Sequence, residues 1–264
     1  DDFVMPLWVE SRVDLAGERD YAKSKSLSAD LRNIQKNELE WNTSKSKKDL
    51  ETFYDRFYTP TITASHGRAA LLANKAERFK LFSSGKMDLL HVKRGAEVIA
   101  AVTIDYREEE PVLRDSGVLD GSAALKKCGA VAALYLYSMD YLASKGYRNV
   151  GLGLTRSFLD DGVLAFKRKF RPLVRPGFDQ CLLIRTGALN RITRTILRSS
   201  PCFTWQGHEL HRTYFRDAVP GLSSPNGPKN GNSWNFGIDK ESIFDISGET
   251  IRRQTGQQEF AKVS

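Results

Sequence analysis

Apolar positions along the chain follow two periods. Leu50, Phe53, Tyr54 and Phe57 recur at steps of three and four, which predicts a helix over 47–60 with an aromatic inner face. Pro60 is expected to end it, because proline biases the residue before it away from helix. A weaker helical spacing, Leu31, Ile34 and Leu39, runs through 27–42, and 69–83 reads as a further helix with Phe79, Leu81 and Phe82 as candidates for burial. The period then changes. Residues 87–93 and 98–106 are β-rich and separated by Arg-Gly-Ala-Glu, a hairpin signal, with Val98, Ala100, Val102 and Ile104 on one face of the second strand. A third strand over 112–118 is expected to run antiparallel to it.

The stretch 120–170 organises the chain. A turn-like Asp120-Gly-Ser and the run Lys126-Lys-Cys-Gly129 lead into a helix over 130–145, which Gly146 stops because glycine adopts positive φ at little cost. A short strand over 149–154 follows, and then a loop enters a second helix within 155–170. Helix, strand and helix together form a frame that presents a ligand at a strand end. Further strands are predicted at 178–185 and on either side of a Gln206-Gly207 turn within 203–215. Residues 189–199 form a basic amphipathic helix with Leu189, Ile192, Ile196 and Leu197 expected inward. Such a helix is either an ordinary surface element or one that lies on acidic lipid or nucleic acid. The start, 3–14, reads as an extended lead-in anchored by Trp8. From Val219 the composition turns to Pro, Gly, Ser and Asn, and 234–264 holds too few apolar residues for a core of its own. The expected division is an N-terminal extension (1–45), a single domain (46–216) and a turn-rich tail (217–264).

Composition narrows the class. At 264 residues with 41% apolar, the chain can bury one sizeable core. No run of about 18 uninterrupted apolar residues exists, so no membrane span is predicted. Asp1-Asp2 stands where a secretion signal would carry basic residues, and the start without Met points to a segment upstream. The net charge is +8, concentrated at 23–48 and 167–198. It suits nucleic acid, a phosphorylated cofactor or an acidic membrane face, or is simply a solvated basic surface. Cys128, Cys181 and Cys202 form no CxxC pair, which argues against a disulfide scaffold or zinc cluster and fits a reducing cytoplasm. His208 and His211 lie three apart with no Cys or carboxylate to complete a metal set, so no metal is predicted. His91 falls within a strand and reads as a packed or edge histidine.

Three pieces together resemble the GNAT-like acyltransferase superfamily, in its FemAB-type branch with the single-domain acetyltransferases grouped there. They are Phe53-Tyr-Asp-Arg-Phe-Tyr-Thr-Pro60 followed by Ser65-His-Gly67, the hairpin over 92–102, and the run Tyr135 to Gly146, Leu152-Gly-Leu154 and Asp161-Gly-Val-Leu-Ala-Phe-Lys-Arg-Lys-Phe170. The resemblance covers about 46–185. It implies an α/β (α+β) fold with a mixed, mostly antiparallel sheet flanked by helices, in a bacterial, cytoplasmic protein, peripheral placement at the inner membrane face being compatible with its charge. The superfamily's pyrophosphate loop is replaced here by Lys126-Lys-Cys-Gly129, whose amides and following helix N-terminus remain suited to a phosphate. The implied activity is transfer of an acetyl or acyl group from acetyl-CoA or another acyl-CoA, as co-substrate rather than tightly bound cofactor. The acceptor would be an amine or hydroxyl of a cell-envelope precursor, polysaccharide or amino-acid-derived small molecule. Aminoacyl-tRNA is the alternative donor, in which case the basic stretches would meet RNA. A catalytically silent binding domain is the third possibility.

By that resemblance attack is direct, so the chemistry needs a base, an acid and a stabilised oxyanion but no covalent nucleophile. The base candidates are His66, Asp120 and Asp161; histidine titrates nearest neutrality, and a carboxylate would need desolvation. Tyr135 and Tyr137 fall on roughly opposite helix faces, and Tyr135 either protonates a leaving thiolate or packs in the core. Cys128 is a remoter candidate for an acyl-carrying thiol. Lys126, Lys127, Gly129, Arg156 and Lys167 are the donor-binding candidates. Lys167 alternatively snorkels over the core beside Phe166, and Asp160-Asp161 alternatively cap the second helix. The reading expects two strands to splay apart beside the N-terminus of the 130–145 helix.

Overall fold

The computed structural model describes residues 2–16, 25–106, 110–187, 189–217, 236–238, 240–247 and 251–254. In chain order the strands and helices are β1 (Asp2–Pro6), β2 (Trp8–Asp14), α1 (Lys25–Lys36), β3 (Leu39–Ser44), α2 (Lys47–Thr52), α3 (Thr59–His66), α4 (Lys75–Ser83), β4 (Met87–Arg94), β5 (Glu97–Asp105) and β6 (Val112–Val118). There follow α5 (Ala123–Lys127), α6 (Ala130–Ser144), β7 (Asn149–Arg156), α7 (Gly162–Lys167), β8 (Leu173–Pro176), β9 (Cys181–Arg185), α8 (Arg191–Arg198), β10 (Cys202–Gln206), β11 (Glu209–Arg216), β12 (Glu241–Asp245) and β13 (Arg252–Gln254). The fold is mixed α/β, with mostly antiparallel sheets flanked by helices. Two units divide the chain, one formed by 12–153, the other by 1–11 with 154–264.

In the first unit the strands run β3-β4-β5-β6-β7. The predicted hairpin is β4 and β5, antiparallel from Met87↔Asp105 to Arg94↔Glu97, and β6 pairs antiparallel with β5. Residues 87–92 and 99–105 are buried without alternation, as in strands covered on both faces. One cover is the aromatic face of 50–58, where Leu50, Phe53, Tyr54, Phe57 and Tyr58 share a core with Met87, Leu89 and Ala101. The other is α6, which packs on β4, β5 and β6 and ends at Gly146 with φ 84°.

Pro60 does not end the helix, contrary to the sequence expectation. Phe53–Tyr58 form a π-helical turn, and the Thr59 amide reaches back five residues to the Tyr54 carbonyl. Pro60 follows directly at the start of α3, with helical backbone unbroken through Tyr58 and Thr59. His66 is therefore at the end of a helix. The helix predicted from Ala69 starts only at Lys75, where the Asn74 side chain accepts from the Glu77 amide.

The helical layer sits close against β6 because residue 117 is glycine. A Cβ there would lie 2.3 Å from the Phe57 carbonyl oxygen and 2.7 Å from the Tyr58 nitrogen, both backbone atoms. Gly117→Ala is accordingly expected to destabilise the fold by roughly 1–3 kcal/mol, the usual cost of overpacking. An unchanged urea midpoint would mean that the π-helical turn is free to move away.

In the second unit six strands run β13-β12-β11-β10-β1-β9. The N-terminal strand β1 lies between β10 and β9, antiparallel to both. One core joins Phe3, Met5, Leu189, Leu197, Cys202, Phe215, Phe244 and Ile246; another joins Val9, Leu159, Leu164, Phe203, Phe236 and Ile238. β12 pairs parallel with β11. The stretch 218–235, read as a turn-rich linker, lies outside the described residues. Along α8 only part of the expected inward face is inward. Leu189 and Leu197 are buried, whereas Ile192 is 71% and Ile196 58% exposed. At about 100° per residue Ile192 and Ile196 lie well round the helix from Leu197, so one sheet cannot cover all three.

Candidate functional site

β6 and β7 are parallel, but they meet at a single register, Val112 opposite Gly151, while β6 stays paired with β5 as far as Val118. Gly153, at φ 77°, comes so near the Leu113 carbonyl that a Cβ would be 2.9 Å from it. Beyond this point no strand among the described residues pairs with the outer side of β6. The Val118 amide donates to the Thr61 hydroxyl at 3.0 Å, and that hydroxyl donates to the Val118 carbonyl at 3.2 Å. Alternation along a strand puts the backbone groups of Ser116 on the same edge, with no strand opposite them. A parallel β6–α6–β7 crossover places the α6 N-terminus at the end of β6 where the edge is open.

Lys126, Lys127 and Gly129 form the approach to α6. Gly129 adopts φ 95°, and the space for its Cβ is filled by Ile34 and Asn33 of α1. Asn33 and Asn37 side-chain amides donate to the Lys127 and Cys128 carbonyls at 3.4 and 3.3 Å, which fixes the loop. No side chain caps the start of this 15-residue helix, and Gly129 and Ala130 are buried there. Tyr135 lies within α6. The residue is partly exposed, yet burial around its hydroxyl pushes the phenol up to about 12. Asp120 is in the turn after β6 and accepts from Arg56 Nε at 2.8 Å and Nη2 at 2.6 Å. The Arg56 hydrogen bonds hold its carboxyl below the ordinary range and occupy both oxygens. His66 is exposed at the far end of α3 from Thr61. No described contact joins His66, Asp120 and Tyr135 into one cluster.

Sequence reasoning passed over a buried network on β6. Asp115 Oδ2 accepts from the Tyr54 hydroxyl and from Arg78 Nε, each at 2.8 Å. Burial, and then the Asp115 charge, pushes the Tyr54 phenol far up; burial would lower Arg78, but Asp115 outweighs it and raises the guanidinium. The signal was a charged residue in mid-strand, Val112-Leu-Arg-Asp115-Ser-Gly-Val118. A second buried carboxylate, Asp88, accepts from Tyr141 at 2.6 Å, Tyr106 at 2.9 Å, Lys145 at 2.9 Å and Lys45. Burial alone would raise it; these four donors hold it well below the carboxylate range.

The second unit carries Arg156, Asp161 and Lys167. Arg156 is exposed at the end of β7. Asp161 caps α7, accepting from the Val163 and Leu164 amides at 2.9 and 3.0 Å. Lys167, at the other end of α7, is 2% exposed and donates to the Leu154 carbonyl at 3.2 Å. Burial lowers its ammonium to about 7, against the charges of Asp161 and Glu10, which raise it. Lys167 therefore does not snorkel. Among the described residues no group of His, Cys, Asp and Glu is arranged to hold a metal ion, and no helix is long and apolar enough to cross a membrane.

No protein-family model matches the sequence, and no curated protein matches it. Solved structures do show similarity. The C-terminal domain (DUF2156) of a putative lysylphosphatidylglycerol synthetase from Agrobacterium fabrum is 18% identical over 70% of this chain and 62% of that one, with a TM-score of 0.48. FemX is 10% identical over 64% of this chain and 59% of its own, with a TM-score of 0.49. An aminoglycoside acetyltransferase from an uncultured soil metagenomic sample is 16% identical over 58% of this chain and 98% of its own, with a TM-score of 0.39. The chain thus spans less than two thirds of the synthetase domain and of FemX. The mixed fold is read from the chain's own strand order and register.

Proposed function

We propose that this chain is an acyltransferase that moves an acetyl or other acyl group from acyl-CoA to an amine or hydroxyl. The acceptor belongs to a cell-envelope, polysaccharide or amino-acid-derived small molecule. The observation that carries the reading is the outer edge of β6, which loses β7 after Val112↔Gly151. An extended ligand with its own amides adds to such an edge as a strand would, and the pantetheine arm of CoA is one. Lys126, Lys127 and the α6 N-terminus supply positive charge and amides for its pyrophosphate. The Ser116 amide on the open edge is a ready donor to the oxyanion of a thioester under attack. Tyr135, with its phenol at about 12, stays protonated at neutral pH and serves as acid toward the leaving thiolate. Lys167, in the other unit, stays a candidate for holding a phosphate or acidic group rather than a base. His66 and Asp161 remain base candidates, and Arg156 a candidate for a phosphate or acidic group. Asp120, salt-bridged to Arg56, is the weakest of the set.

The test is thermal unfolding with acetyl-CoA, longer acyl-CoAs and aminoacyl-tRNA added one at a time. An acyl-CoA at a hundred times its Kd is expected to stabilise the fold by about 2.7 kcal/mol, seen as a raised Tm. Protection by aminoacyl-tRNA alone would change the donor and keep the transfer reaction. Protection by none of them would leave the strand edge without a role in acyl transfer.

A further inference from the structure

Helix α8 presents a surface that the proposed transfer does not use. Its eight residues hold three arginines and no acidic residue. At about 100° per residue, Arg191, Arg194 and Arg198 fall within an arc of about 60°, and Ile192 and Ile196 form a second stripe about 40° wide. Leu197 lies between the two stripes on the side turned to the core, so both stripes flank the outward face. The isoleucines are 71% and 58% exposed. Along the arginine stripe is a hollow of about 500 Å³ lined by Leu189, Arg191, Arg194, Thr195 and Arg198. Asp217 pairs with Arg198.

We propose that α8 docks this chain on a bilayer containing anionic phospholipid, with headgroup phosphates in the arginine-lined hollow and Ile192 and Ile196 in the acyl-chain boundary. Charge complementarity selects the occupant. Guanidinium groups pair with phosphate in a forked geometry, and the arginines on one side of this short helix, Arg198 by exchanging Asp217 for phosphate, match a surface dense in phosphates. The isoleucines distinguish lipid from nucleic acid. Two exposed aliphatic side chains gain nothing from a phosphodiester backbone, whereas an interfacial helix pairs an apolar stripe with a basic one. The surface potential of anionic lipid adds attraction that falls off within a Debye length, so binding is salt-sensitive. This docking stands independently of the acyl donor.

The experiment is co-sedimentation of the full chain with vesicles of phosphatidylcholine alone and of phosphatidylcholine with phosphatidylglycerol. The parent is expected to sediment with the anionic vesicles and to be released by high salt. Arg191→Gln/Arg198→Gln should weaken the partition roughly 25-fold, at about fivefold per arginine. Ile192→Ser/Ile196→Ser keeps every charge, alters only exposed side chains, and should weaken it by about tenfold or more. Circular dichroism confirms that both variants are folded. Inorganic phosphate, matched to the lipid phosphate, should leave the parent on the vesicles. Equal sedimentation with phosphatidylcholine, parent-like binding by the isoleucine variant, or displacement by inorganic phosphate or RNA at matched phosphate would each overturn the proposal.

Discussion

Lys167→Met is expected to stabilise the fold at pH 7 by about 3 kcal/mol. Burial lowers the Lys167 ammonium from 10.5 to about 7. The unfolded chain therefore binds more protons than the folded one between those values. Stability from this group rises with pH across that window, and below about 7 the whole penalty is present. The gap corresponds to about 5 kcal/mol below the window and about 4 at pH 7. Methionine removes the penalty and also the hydrogen bond to the Leu154 carbonyl, which is worth about 1 kcal/mol. Urea unfolding from below pH 7 to above 10.5 checks the sign. The parent should gain stability across the window relative to the variant; parallel curves would mean that the ammonium is better solvated than its burial implies.

Asp115→Ala is expected to destabilise by about 3–5 kcal/mol, because it strands the Arg78 guanidinium and the Tyr54 hydroxyl without their shared acceptor in a closed interior. The side chains of Arg78 and Asp115 are 12% and 7% exposed, so water does not replace the carboxylate. The triple change Asp115→Leu/Arg78→Met/Tyr54→Phe removes every polar partner and should recover most of the loss. The comparison is by urea midpoint and slope. Equal losses in the single and triple variants would assign the cost to volume rather than to unpaired charge.

Much of the first unit's frame was legible because it is written locally. Apolar runs broken by Arg94-Gly-Ala-Glu97 give the β4–β5 hairpin, and Gly146 marks where α6 stops. What was not legible depended on distant partners. The π-helical turn that carries the chain through Pro60 leaves the apolar spacing unchanged, so no period reveals it. On α8 the sequence offers a broad apolar face, and which part is covered depends on Phe3, Met5 and Phe215, which the helix cannot know from its own residues. The same holds for the candidate site. Asp161 was readable as a cap because the capping signal is two and three residues away. Lys167 in an amphipathic segment reads as a surface group, and only the fold buries it. The open edge of β6 is a property of where β7 diverges, marked in sequence only by Gly153 within a strand.

The division of the chain has a consequence for biosynthesis. The unit 12–153 is one continuous segment, so all of it has left the ribosome before the second unit is half made. The second unit closes on strand β1, whose Asp2 pairs with Arg185, 183 residues later. That opening strand must wait, its apolar Phe3 and Met5 uncovered, until β9 and β10 emerge. Such a late, long-range closure is slow and exposed to aggregation. A nascent chain halted before β9 would therefore carry a finished 12–153 unit together with an uncovered, aggregation-prone β1.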